Sequence, residues 1–378
     1  MAKTLLEQKM KELRKVNDSV TFEDSKYAEI CNYIDTGDYA LNLIMSGNPM
    51  KGCPSGRVIL FNGESQVGKT YIISNIIKNA FLKSNYDRVF LFDSEGGALK
   101  DNLRKTGVDL NSIEHVLVDT VEDLTVKAIR TYNMIKEIKA EEPNLKFLLA
   151  LDSIGALVTN KVYTDALVKD KQVSDQGSRA RLVNTFIKAV TMPALRTDSS
   201  ILITNHVYAD PTAMYPSLIK TTSGGSGLGY EASIALQISR ALEKNESAKD
   251  EGASKYNATI LKFLTVKNRL VKGFYSSEML LNFSSGPLKY FGLVNYAIKY
   301  GLINKAPTQG FYLCPAVSDK KYRLKEIITS EEIWTKILPD LCIKAEAEMA
   351  YSSGYCDDNQ ILDENEKKIE GVLEDEVV

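Results

Sequence analysis

The hydrophobic pattern of this chain changes period several times, and the changes mark out its elements. The run RVILFN, Arg57 to Asn62, is apolar and β-branched enough for a strand buried on both faces. Beyond a short glycine-containing loop, Ile72, Ile73, Ile76, Ile77, Ala80 and Phe81 recur at helical spacing and form one apolar face. Further strand-like runs follow at Arg88 to Asp93, His115 to Asp119, Lys146 to Asp152 and Ser200 to Asn205, separated by helix-length segments. That alternation predicts an α/β fold with a largely parallel sheet covered on both faces. Tyr256 to Lys267 and Glu278 to Phe283 are strand-like with no helix between them, which predicts antiparallel strands extending the sheet.

The two ends of the chain read differently. Leu5, Leu6, Met10 and Leu13 recur at helical spacing within Met1 to Val16, giving an N-terminal helix. Residues 291–355 read as a small helical attachment around Trp334. From Asp357 to Val378 there are nine acidic residues against Lys367 and Lys368, the composition of a disordered tail that repels phosphate. The organisation expected is an N-terminal segment over 1–36, a main domain over 37–290, a small C-terminal region over 291–355 and an acidic tail over 356–378.

Composition narrows the class. A chain of 378 residues with 44% apolar content can bury a large core. No stretch approaches a membrane span, and the start MAKTLLEQKMKELRKV lacks the apolar segment of a signal peptide, so a cytoplasmic protein with no membrane partner is expected. Five scattered cysteines with no C-x-x-C pair read as reduced thiols. At a net charge of −2, any binding of nucleic acid must rely on a local basic surface.

The loop after the first strand carries chemistry. GESQVGKT, spanning Gly63, Glu64, Ser65, Gln66, Val67, Gly68, Lys69 and Thr70, fits a glycine, four residues, then Gly-Lys-Thr, and it lies between a strand and a helix as a phosphate-binding loop must. Its backbone N–H groups and the helix N-terminus would hold phosphates, Lys69 would reach the terminal ones, and the Thr70 hydroxyl would ligate Mg2+. FLLALDS ends in Asp152, placed either to orient that ion through its water shell or to cap a helix. In LFDSEGG, Asp93 and Glu95 follow a strand, and Glu95 is the candidate to orient and deprotonate an attacking water.

GESQVGKT, LFDSEGG, LLALDSIGAL and ITNH, with VKNR downstream, together resemble the RecA-like recombinases, and in particular their bacteriophage branch of the UvsX type. The resemblance spans about residues 37–290. It implies a RecA-type core and an ATP- and Mg2+-dependent DNA recombinase that assembles as helical filaments on single-stranded DNA. Such an enzyme pairs that strand with homologous duplex DNA and exchanges strands, serving recombination, repair and replication. Single-strand-binding and mediator proteins would be its partners, and the host cell cytoplasm its location if it is phage-encoded.

The resemblance also assigns roles. Glu95 matches the water-activating glutamate, Asp152 with Ser153 the magnesium-orienting pair, and His206 the residue that senses the terminal phosphate. Lys267 and Arg269 match cations that reach a neighbouring subunit's nucleotide. A first DNA loop is implied between Ala156 and Gly177, with Lys169 and Lys171, followed by Arg181, Asn184 and Lys188 on one helical face. A second runs from Val207 to about Gly229, with Tyr208, Gly224 and Gly225. The chain departs from the family in having Asn102 where a tyrosine stacks on adenine, and Gly229 where bacterial RecA has a lysine. A hexameric helicase of the DnaB type on the same core, and a KaiC-like nucleotide switch with no DNA substrate, are the alternatives.

Overall fold

The computed structural model describes residues 2–17, 19–96, 100–104, 107–168, 177–208, 221–223, 227–244, 256–282 and 286–351. Eight strands build the central sheet: β1 (Val58–Gly63), β2 (Arg88–Asp93), β3 (Ile113–Leu117), β4 (Phe147–Asp152), β5 (Ile201–Tyr208), β6 (Ile234–Lys244), β7 (Tyr256–Asn268) and β8 (Ser276–Asn282). Their spatial order is β8-β7-β6-β1-β5-β4-β2-β3, with the short strand Gly286–Pro287 outside β8 and Thr221–Thr222 paired to β5. From β6 through β1 to β3 every pairing is parallel, whereas β6, β7 and β8 pair antiparallel. The mostly parallel sheet with an antiparallel extension is therefore as the hydrophobic pattern predicts.

Alternation along the strands divides the core into two layers. Ile59 and Phe61 of β1 face one side with Ile72, Ile73, Ile76 and Ile77 of helix α3 (Lys69–Ser84). Val58 and Leu60 face the other, with Tyr132 and Ile135 of α4 (Val121–Glu141) and Phe186 and Ile187 of α5 (Ser178–Arg196). Each such buried side chain stabilises the fold by about 1.5–3 kcal/mol. Helix α2 (Tyr39–Ser46) starts where the Asp38 carboxylate accepts the Leu41 N–H at 2.8 Å and stops at Gly47. At the other end of the chain, α1 (Ala2–Asn17) leaves Leu5, Leu6, Met10 and Leu13 exposed.

Strand boundaries shift where local bonds compete. The strand expected at His115 to Asp119 runs instead from Ile113 to Leu117, because Thr120 turns the chain and caps α4 by accepting the Asp123 N–H. The strand expected to end at Asn205 continues to Tyr208, because Val207 and Tyr208 find partners in Thr222 and Thr221. Among the described residues no helix is long and apolar enough to cross a membrane.

The C-terminal region is not only helical. Besides the helix Leu293–Lys299 and α6 (Glu331–Met349), it contains an antiparallel sheet of Asn304–Lys305, Phe311–Cys314 and Ser318–Arg323. The sequence SDKKYR in the last of these is almost wholly exposed and lacks apolar alternation, so its period carries no strand signal. This region shares the main core: Trp334 is fully buried, stacks on Tyr290 at 4.9 Å and donates its indole N–H to the Ile327 carbonyl at 2.8 Å. Tyr39 meets Tyr290 edge-on, which links α2 to the same cluster. Trp334→Ala should cost about 3–5 kcal/mol, and Trp334→Phe substantially less because it keeps the ring stack. Denaturant unfolding checks this. A single shifted transition is expected, whereas an early transition confined to the C-terminal region would contradict a shared core.

Candidate active site

The phosphate loop is held open by its own backbone. Gly68 caps the start of α3 with φ +101°, and Gln66 sits at φ +60°, where few non-glycine residues rest. Arg240 of β6 donates to the Gln66 carbonyl at 2.6 Å and so fixes the strained residue. Lys69 is buried, and its ammonium donates to the carbonyls of Gly63 at 3.0 Å and Glu64 at 2.7 Å. Burial lowers its pKa, while the negative charges of Glu95 and Asp152 oppose that shift. A cation solvated by two neutral carbonyls gains charge-assisted bonds when phosphate oxygens replace them.

Strand ends bring the carboxylates to this loop. Asp152 at the end of β4 accepts the Thr70 hydroxyl at 2.6 Å on one oxygen and the Thr204 hydroxyl at 2.5 Å on the other. An adjacent hydroxyl and carboxylate suit a hard divalent cation that keeps most of its water. Among the described residues no group of three or more His, Cys, Asp or Glu could hold a metal unaided, so phosphate oxygens and water would complete the shell of Mg2+. The pair of Thr70 and Asp152 therefore fits an ion whose remaining ligands are phosphate oxygens and water.

Glu95 lies just past β2. Its carboxylate accepts from the Ser153 hydroxyl and from His206 Nε2, the latter at 3.0 Å. Burial would raise its pKa, but those two hydrogen bonds, with the charges of His206 and Lys69, outweigh it and hold the carboxyl below the usual glutamate value. The imidazole of His206 lies against Gly155, where an added Cβ would stand 2.4 Å from the ring. Any larger residue there would push His206 off Glu95. Gly63 of β1 and His206 of β5 are register partners, so phosphate loop, carboxylate and histidine share one edge of the sheet.

Lys267 and Arg269 stand apart from this cluster. Both donate to the Tyr230 carbonyl, Arg269 at 3.3 Å. On the same strand, Leu261 is the residue that packs against Gly68 of the phosphate loop. Six residues of extended chain place Lys267 about 20 Å from that contact, beyond the reach of a lysine side chain.

Of the residues assigned to DNA, Arg181 and Lys188 are exposed on α5, and Lys188 approaches Glu231 at 3.7 Å. Asn184 is half-buried beneath Gly227, where an added Cβ would lie 2.3 Å from its side-chain oxygen. Tyr208 ends β5. Lys169, Lys171, Gly224 and Gly225 lie outside the described residues, as does the acidic tail. Three contributors escaped sequence reasoning. Thr204 was signalled only by a hydroxyl two positions before His206 in an apolar strand. Arg240 had no signal in ISRALEK. Neither had Arg179, which ties the carbonyls of Ile154, Gly155 and Leu157 to the Ser223 hydroxyl.

Comparison with known proteins agrees with this geometry. The model of the RecA N-terminal domain matches residues 4–287. The recombination and repair protein of Enterobacteria phage T4 is 25% identical over 351 residues, 90% of this chain and 84% of that protein. The RecA protein of a Nitratiruptor species is 24% identical over 341 residues, 90% of each chain, and that of Bartonella bacilliformis 28% over 273 residues, 72% of each. These matches favour a recombinase over a DnaB-type helicase or a KaiC-like switch. With the motif-bearing strand ends gathered at one sheet edge and the family model covering most of its length, the chain belongs to the RecA family.

Proposed function

We propose that this chain is an ATP-dependent recombinase that polymerises on single-stranded DNA, pairs it with homologous duplex and exchanges strands. The observation that carries this reading is the hydrogen bond between Glu95 and His206. It joins the water-orienting carboxylate to β5, the strand from which the second DNA loop leaves after Tyr208. His206 lies two residues before the end of that strand, so a shift of its imidazole has a short path to the loop.

ATP with Mg2+ supplies the terminal phosphoryl group and the charge that neutralises its transfer. Lys69 would exchange the Gly63 and Glu64 carbonyls for phosphate oxygens, and Thr70 with Asp152 would hold the ion. Glu95, kept ionised by Ser153 and His206, accepts the proton of the attacking water, and His206 can donate to a phosphate oxygen in place of Glu95. Lys267 and Arg269 supply charge to the nucleotide of an adjacent subunit, which makes hydrolysis depend on assembly. The separation between Lys267 and the chain's own phosphate loop supports action between subunits. Arg181 and Lys188 contribute a basic surface for the DNA backbone, joined by the two loops carrying Lys169, Lys171, Tyr208, Gly224 and Gly225.

Lys69→Ala should abolish hydrolysis at an unchanged melting temperature. Glu95→Gln should bind nucleotide normally and lose about 100-fold or more in turnover, with DNA retained. DNA-stimulated ATPase beside nucleotide binding checks both, and near-normal turnover in Glu95→Gln would remove it from the mechanism. The pH profile adds a signed test. Ser153→Ala deletes a bond that lowers the Glu95 pKa, so the acid limb of the rate profile should move to higher pH. Assembly is tested by mixing. The double variant Lys267→Ala/Arg269→Ala should bind nucleotide but hydrolyse little, and adding Lys69→Ala protein should restore part of the activity through mixed interfaces. No recovery at any ratio would place the two cations in their own subunit.

A further inference from the structure

We propose that His115 is a positioning residue for Glu95, acting through the buried carboxylate of Asp93. The inference rests on the reading of Glu95 as the water-orienting group. Asp93 and Asp152 are register partners on adjacent parallel strands, so their side chains project from the same face of the sheet as near neighbours. Both are buried, Asp93 at 2% exposure and Asp152 at 6%. Two buried carboxyl groups side by side each need their own set of donors. Asp152 is satisfied by the hydroxyls of Thr70 and Thr204. Asp93 has a different set, and it leads to Glu95.

One oxygen of Asp93 accepts the backbone N–H of Glu95 at 3.0 Å and that of Gly96 at 2.8 Å. The other faces His115 Nε2 on β3 at 3.2 Å. A carboxylate only accepts, so this nitrogen carries the proton and donates. The imidazole therefore holds the carboxylate from behind while its front holds the backbone from which the Glu95 side chain departs. The chain contains two histidines, and both serve the same turn: His206 bonds the Glu95 side chain, and His115 bonds the aspartate that fixes the Glu95 backbone. Unlike His206, which stands on the strand leading to the second DNA loop, His115 stands on the outermost strand of the parallel side, with its side chain 47% exposed. Its role is geometric. Without it the Asp93 carboxylate loses one of its donors, the two N–H bonds loosen, and the origin of the Glu95 side chain is held less firmly.

The test compares His115→Ala with His115→Gln, whose amide N–H can replace Nε2. In His115→Ala, turnover should fall by about tenfold or more, as expected from losing a hydrogen bond to a charged group, with affinity for a fluorescent ATP analogue unchanged. His115→Gln should recover most of it. In the nucleotide-free protein, amide hydrogen exchange over residues 88–96 should quicken in the alanine variant and return towards normal in the glutamine variant. Unchanged turnover and exchange in His115→Ala would overturn the proposal. So would equal losses in both variants accompanied by a lower melting temperature, which would mark a role in the fold alone. Glu95→Gln measured alongside separates the two claims. Near-normal turnover there overturns the reading of Glu95 on which the proposal stands, whereas a large loss there with full activity in His115→Ala overturns the proposal alone.

Discussion

Three acidic side chains, Asp93, Glu95 and Asp152, lie at the carboxyl ends of two adjacent parallel strands, and giving each of them its own hydrogen-bond donors is the constraint around which this site is built. A buried charge without donors would cost several kcal/mol. Each therefore has dedicated partners: threonine hydroxyls for Asp152, backbone N–H groups and an imidazole for Asp93, and a serine hydroxyl and a second imidazole for Glu95. Ser94 and Ser153 reinforce this arrangement reciprocally, the Ser94 hydroxyl accepting the Ser153 N–H and donating to the Ser153 carbonyl. The donors come from five different segments, so the site forms only when strands β2 to β5 stand in order beside the phosphate loop.

The same sheet separates the two kinds of positive charge. Lys69 belongs to the loop on β1 and faces the carboxylates, whereas Lys267 and Arg269 lie far along an antiparallel strand and gather on one carbonyl of Tyr230. A parallel core alone would place every strand end at one edge. The antiparallel extension carries these cations away from that edge, which is the separation that the proposed action between subunits requires.

Much of this was legible in the sequence because it rests on period and on local motifs. The apolar run ending in Asp152 and the helical spacing after Thr70 marked the strand, loop and helix of the candidate phosphate site. The expected roles of Thr70 and Asp152 toward one ion are consistent with their 2.6 Å contact. What the sequence hid were bonds between residues distant along the chain. Arg240 reaches Gln66, and His115 reaches Asp93, through strand order, and no local pattern encodes strand order. The strand Ser318–Arg323 was invisible for another reason: almost every residue in it is exposed, so no alternation records its pleat. Asn184 shares a helical face with Arg181 and Lys188 as spacing requires, yet the close approach of Gly227, which only the fold reveals, covers it.

The central claim is that nucleotide binding at this strand-end site drives assembly on single-stranded DNA. Electron microscopy of the protein with single-stranded DNA, with and without ATP and Mg2+, tests it most directly. The account predicts continuous helical filaments on DNA that form with nucleotide and fall apart without it. Closed rings, or particles that never associate with DNA in either condition, would contradict it.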